Sequence, residues 1–174
     1  MFHKFIVPVL LIAVFVLSAC TKDLHGGGVV TLFSVETPGG PGQLGTANMA
    51  ISFTCNDAKN KIGGILHWTD NANGVNFTAR LPQTPVSMVF GSGVDTCEQA
   101  SAAAQTAGIS ANMAQLNTHG QMSGLAIVAV GEPNSELLSC GAGVSGVIVA
   151  TTDVNDTTTY IAFGCLNRGN IIFQ

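Results

Sequence analysis

From Val29 to the end of the chain, apolar and polar positions alternate in short runs separated by turn residues. In "TANMAISFTC", Ala47, Met49, Ile51 and Phe53 share one face and Asn48, Ser52 and Thr54 the other. A period of two is the signature of a strand buried on one side. "VVTLFSV" is a strand of the same kind, and Thr37 to Gly45 is a loop rich in Gly and Pro. "IGGILHWTD" and "GVNFTARL" read as a hairpin joined through Asn71-Ala72-Asn73-Gly74, because Asn-Gly tolerates the positive φ of a tight turn. "PVSMVFGSG" reads as a further strand, pushed by Pro82 and Pro85 toward an edge or a strand start. "ISANMAQLNT" and "GQMSGLAIVAV" form a second hairpin about residues 118–120. "VSGVIVATTD" and "TTTYIAFG" form a third near Asn155-Asp156, and "GNIIFQ" closes the chain.

One segment breaks the β pattern. Asp95-Thr96-Cys97-Glu98 reads as a capping box ahead of "QASAAAQTAG", with Asp95 as the cap, Glu98 reaching back and Gly108 ending the turn. The expectation is one short helix at 96–107, an Ala/Ser-rich loop being the alternative. The fold class is therefore all-β: an antiparallel sandwich or barrel of about nine or ten strands with at most that helix.

The first twenty residues follow a different rule. Phe5 to Ala19 is nearly all apolar behind a single Lys4, about fifteen residues and short for a membrane span. A basic start, a short apolar stretch and small residues at its end describe a secretory signal. The run ends in Leu17-Ser18-Ala19-Cys20, which resembles the lipobox of bacterial lipoprotein precursors. The alternative is an ordinary signal with a chance cysteine. The resemblance implies cleavage before Cys20, diacylglycerol on its thiol and a further acyl chain on its amine. Two or more chains anchor a protein stably where one does not. The expected organisation is a signal peptide at 1–19, a lipidated N-terminus and polar tether at 20–28, and a single β domain at 29–174. Thr21, not aspartate, follows Cys20, which by the same resemblance favours the outer membrane in an organism that has two.

Residues 20–174 carry five basic side chains against ten acidic ones. That excess argues against a nucleic-acid partner, which calls for a basic footprint, and against electrostatic docking on anionic lipid. Cys55, Cys97, Cys140 and Cys165 remain after Cys20. An even number in an exported domain suggests two disulfides. Three pairings are possible. Proximity along a meander favours Cys55–Cys97 and Cys140–Cys165. No C-x-x-C spacing supports zinc instead.

Several residues are familiar in combination: Gly26-Gly27-Gly28-Val29-Val30 at the start, Gly64 to Asp70 in the middle, Val147 to Asp156 near the end and Arg168 to Phe173 at the close. Together they resemble the Gly-rich β domain found on exported bacterial proteins beside choice-of-anchor regions. Cys97 to Gly120 stands as an insertion relative to that pattern. The resemblance implies an extracytoplasmic all-β module and no particular chemistry.

Motifs that could carry chemistry are few. His25-Gly26-Gly27-Gly28 matches an esterase oxyanion motif, but no G-x-S-x-G accompanies it; a hinge merging into the first strand is the plainer reading. Gly141 to Gly146 is formally G-x-G-x-x-G, yet it precedes a β-branched run rather than a helix, so it reads as a turn. His67 and Asp70 are three apart on a strand and face opposite sides, which removes an easy dyad. His119, Ser92 and Ser123 complete the hydrolase candidates. Acidic residues in "TDNAN" and "TTDVND" could offer oxygens to calcium but lack EF-hand spacing, and Asn155 and Asp156 suit turns. No cofactor is implied and no residue is expected to be catalytic. The expected function is a non-enzymatic, membrane-anchored envelope or surface lipoprotein, exported, touching the membrane through its lipid and an envelope protein through its β module. The alternative is a carrier of a small apolar ligand inside a barrel-like cavity.

Overall fold

The computed structural model describes residues 21–117, 119–131, 140–141, 143–155 and 157–173. Among the described residues nine strands form one antiparallel sheet: β1 (Thr21–Thr37), β2 (Gly40–Pro41), β3 (Thr46–Asn56), β4 (Lys61–Asp70), β5 (Val75–Pro85), β6 (Ile109–Leu116), β7 (Met122–Val130), β8 (Gly146–Thr152) and β9 (Thr158–Phe173). Each strand from β3 onward pairs with the next, and β9 returns to pair with β1. Eight strands thereby close an up-and-down barrel, while β2 only extends the end of β1 through Thr37↔Gly40 and Glu36↔Pro41. Closure removes the sheet edges that a sandwich would have to protect.

The alternation in the sequence sets which way each strand faces. On β3, Ala47, Met49, Ile51, Phe53 and Cys55 are buried, with Asn48, Ser52 and Thr54 exposed. Leu66, Trp68, Phe77, Ala79, Met113, Val128, Val149, Tyr160 and Ala162 are buried in the same core. An eight-stranded barrel is wide enough for side chains to fill it or for one small ligand to enter. Its outer positions are mixed: Asn76 and Arg80 are exposed on β5, and Phe33, Ile65 and Ile127 on β1, β4 and β7.

The seam between β1 and β9 depends on glycine. Gly27 has φ 149° and Gly169 φ 107°. A Cβ on Gly27 would overlap the Met49 carbonyl oxygen, and one on Gly169 would overlap that of Gly27. The backbones of β1, β3 and β9 thus meet where a side chain would wedge them apart. This corrects the expected tether at 20–28. Pairing begins at Thr21↔Asn56, Leu24 is buried, and Gly26 to Gly28 lie in the middle of β1. Polar composition and three glycines suggested a hinge, but main-chain pairing on both flanks outweighs their weak strand propensity.

Two helices close one end of the barrel. "PVSMVFGSG" is not a strand. Val86–Phe90 forms the short helix α1. Its cause lies in β5, where Pro82 and Pro85 offer no N–H to a neighbour. Pairing of β5 with β6 stops after Thr78↔Leu116, Ala79↔Gln115 and Arg80↔Ala114. Leu81, Met88, Val89 and Ala111 then line the gap between the two strands. Helix α2 (Cys97–Ala107) occupies the expected place, with its capping box shifted by one residue. Thr96 Oγ1 accepts from Gln99 N at 3.2 Å, and Gln99 Oε1 accepts from Thr96 N at 3.1 Å. Asp95 and Glu98 are therefore not the box. Gly108 ends α2 with φ 78°, as expected. Cys97, Ala100, Ser101 and Ala104 are buried on one face, and their small size lets α2 lie close over the barrel mouth.

Both disulfides join the expected pairs. Cys55–Cys97 has Cα atoms 5.7 Å apart and ties α2 to β3, and Cys140–Cys165 has Cα atoms 5.5 Å apart and ties the segment before β8 to β9. Closing loops of 42 and 25 residues limits the unfolded chain, which stabilises by roughly 3–4 kcal/mol each in the chain-entropy account.

Candidate functional site

At the end of the barrel opposite the helices, one inward strand carries polar groups into the core. Trp68 and Asp70 point inward from β4, and Tyr160 points inward from β9. Trp68 Nε1–H donates to the Tyr160 hydroxyl at 3.2 Å, and that hydroxyl donates to Asp70 Oδ2 at 2.8 Å. Asp70 also accepts from the Asn73 backbone N–H at Oδ1, 3.3 Å, and from the Asn73 side-chain amide at Oδ2, 2.7 Å. Asn73 reaches further: its Nδ2 donates to the Gln43 carbonyl at 2.9 Å, and its Oδ1 accepts from Gln43 N at 2.7 Å. A continuous chain of hydrogen bonds therefore runs from the core, through the β4–β5 loop, to the loop before β3.

Burial and the Asp70 carboxyl, which accepts its proton, push the Tyr160 pKa well above the ordinary phenol value of 10.0, with Trp68 pulling slightly the other way. A buried polar group costs stability unless it finds a partner. Here Trp, Tyr and Asp satisfy one another, so the arrangement holds the loop end shut. It is built to keep a shape. Residue spacing did not reveal it, because Asp70 and Tyr160 are 90 residues apart. The available signal was an acid at an inward position, in phase with Leu66 and Trp68.

The candidates named from sequence are spread over the barrel. Cys20, the expected lipidation site, lies outside the described residues. Cys55, Cys97, Cys140 and Cys165 are occupied by disulfides. His25 is exposed on β1, and the three glycines after it serve the seam. Gly141 and residues 143–145 precede β8 without helix, with Val144 N donating to the Gly141 carbonyl at 3.3 Å. Residue 142 lies outside the described residues. His67 points outward and its Nδ1 lies 2.8 Å from Thr78 Oγ1, while Asp70 points into the core. They are on opposite faces, as the strand period requires.

The remaining hydrolase candidates lie elsewhere on the barrel. His119 N donates to Asn117 Oδ1 at 2.9 Å in the β6–β7 turn, and Ser123 Oγ donates to the Gln115 carbonyl at 3.4 Å. Ser92 is exposed in the loop between the helices. In "TTDVND" the turn is organised by Asp153, whose Oδ1 accepts from Asn155 N at 2.8 Å and Thr157 N at 3.0 Å. Those backbone donors hold the Asp153 carboxyl below its ordinary range. Asn155 and Asp156 were the expected turn formers; Asn155 supplies a donor here, and Asp156 lies outside the described residues.

Among the described residues no helix is long and apolar enough to cross a membrane. Recesses on the outside are open grooves. One of about 430 Å³ lies in the gap between β5 and β6, and one of about 400 Å³ lies beside it along β3, β4 and β5. Fold and site together define an eight-stranded up-and-down β-barrel with an apolar core, two helices at one end and a hydrogen-bonded loop end. No family model matches the chain, and no curated protein or solved structure matches it.

Proposed function

We propose that this protein is an exported lipoprotein, anchored through acylated Cys20, whose β-barrel acts by contact with another envelope component rather than by chemistry. The observation that carries the reading is the ring of eight strands around one contiguous cluster of buried apolar side chains. Trp68, Tyr160, Phe53, Leu66 and Met113 are fully buried, α1 and α2 close one end, and the Asp70–Asn73–Gln43 chain ties down the other. Function then falls to the outer surface and the loops, the usual means by which β modules bind partners. Two disulfides fit an oxidising compartment, and Leu17 to Cys20 supply the lipobox. The rival, transport of a small apolar ligand, calls for an enclosed space of several hundred Å³, and the bulk of the buried side chains just named weighs against it.

The test is metabolic labelling with a palmitate analogue, comparing the wild-type chain with Cys20→Ala, followed by crosslinking in native membranes. Label that depends on Cys20, and a reproducible crosslinked protein partner, are expected. An unacylated Cys20, or a lipidated protein recovered alone and at full yield after crosslinking, counts against the reading.

A further inference from the structure

We propose that the barrel stands on its helical end: the α1–α2 cap rests against the headgroup layer of the bilayer that holds Cys20, and the loop end faces away. This rests on the lipoprotein reading above and adds an orientation to it. Three observations carry it.

The first is the absence of slack. A tether of eight residues could reach roughly 25–30 Å and leave the barrel free to tumble. Thr21, the residue after Cys20, is already paired with Asn56. An acyl anchor on Cys20 is therefore one residue from the sheet. Thr21 stands beside the 57–60 turn, at the end where β3 finishes, β4 begins and Cys55 holds α2.

The second is the chemistry of that end. Between Pro85 and Gly108 the only charged residues are Asp95 and Glu98. The outer side of α2 shows Gln99, Ala102, Gln105 and Thr106, all exposed. Met88, on α1, is 77% exposed. Apolar and neutral polar groups suit the boundary between headgroups and acyl chains.

The third is placement. α1 packs against β4, β5 and β6, whereas α2 reaches β1 and β9. Between β1 and β5 lie β3 and β4 in a ring of eight. Met88 and the anchor thus stand on well-separated sides of one end and make two footings. Lys22, Lys59 and Lys61 on this end are outnumbered by Asp23, Asp57, Asp95 and Glu98, so short reach and Met88, not net charge, set the orientation. β3, with 11 residues, spans about 30 Å along the barrel axis after tilt. Leu44 and Val154, exposed in the opposite loops, stand about that far from the bilayer.

The experiment uses the acylated mature protein in phosphatidylcholine vesicles containing a lipid brominated near its headgroup. A fluorophore is placed on Met88→Cys in one sample and Val154→Cys in another, the native thiols being acylated or paired. Buried Trp68 emission confirms folding in each. Quenching several-fold stronger at 88 than at 154 is expected, persisting in high salt. A flexible Gly/Ser insert between Cys20 and Thr21 is expected to remove most of the difference. Equal quenching, stronger quenching at 154, or a difference abolished by salt overturns the orientation. The mass of the N-terminal peptide separates the two failures: an unacylated Cys20 sinks the lipoprotein reading and this proposal with it, whereas an acylated Cys20 with no preference for 88 sinks the orientation alone.

Discussion

The Tyr160 hydroxyl and Asp70 Oδ2 lie 2.8 Å apart across the barrel core, with Tyr160 1% and Asp70 0% exposed. β4 and β9 are not neighbours in the sheet, so this bond joins opposite parts of the wall. The donors to Asp70 among the described residues are neutral: Tyr160, and Asn73 twice. The carboxyl thereby fixes the loop end without an opposite charge, and its loss leaves orphaned groups in a dry core.

Tyr160→Phe keeps the ring and removes the hydroxyl. Trp68 Nε1–H loses its acceptor and Asp70 loses a donor. A loss of about 1–3 kcal/mol in urea unfolding is expected. The same change in an Asp70→Ala background is expected to cost clearly less, since coupled partners are non-additive.

Tyr160 is the single tyrosine of the chain, so phenolate absorbance reports on it alone. Its folded pKa is raised above the ordinary 10.0, which means the folded state holds the proton longer than the unfolded one. Stability from this group is full below 10 and is lost as the pH rises from there toward the folded value. No phenolate signal is expected at pH 10 while the barrel is folded. On alkaline unfolding the signal and the shift in Trp68 emission are expected to appear together.

Gly27→Ala is expected to cost more than about 3 kcal/mol or prevent folding, because positive φ and overlap with the Met49 carbonyl act together. Gly39→Ala, where nothing lies within 4 Å of the added carbon, is expected to leave the melting temperature unchanged. Thermal melts by circular dichroism compare the two.

Asp153 accepts two backbone bonds, and its pKa is lowered from 3.8. A depressed carboxylate contributes stability above its unfolded value and loses it as the pH falls through the folded one. Asp153→Ala is expected to melt below the wild type at neutral pH, with the gap closing under acid. A constant gap across that range contradicts the assignment.

Much of the architecture was legible because it rests on local rules. Period-two burial on β3, the three hairpins, the helix at 97–107 with Gly108 behind it, and pairing of cysteines adjacent along a meander all follow from neighbours in the chain. The errors arose where a distant strand decides. Gly26 to Gly28 read as a hinge because glycine favours freedom locally; between β3 and β9 the same glycines permit close approach. The run after Pro85 has a β-like composition, but the missing N–H groups of Pro82 and Pro85 end its pairing with β6, and it winds into α1. Cys20, read from its residue class and context alone, lies outside the described residues.

By itself the sequence determined which side of each strand is dry, because alternation at period two admits only one orientation that buries the apolar set. It also determined the disposition of turns, through Gly, Asn and Asp at positions a tight bend requires. Tertiary structure alone decided that the sheet closes through β1 and β9, that Asp70 meets Tyr160, and that the first residue after Cys20 is already held in the wall. Those outcomes depend on chain segments far apart meeting at atomic distance, and no local pattern encodes that meeting.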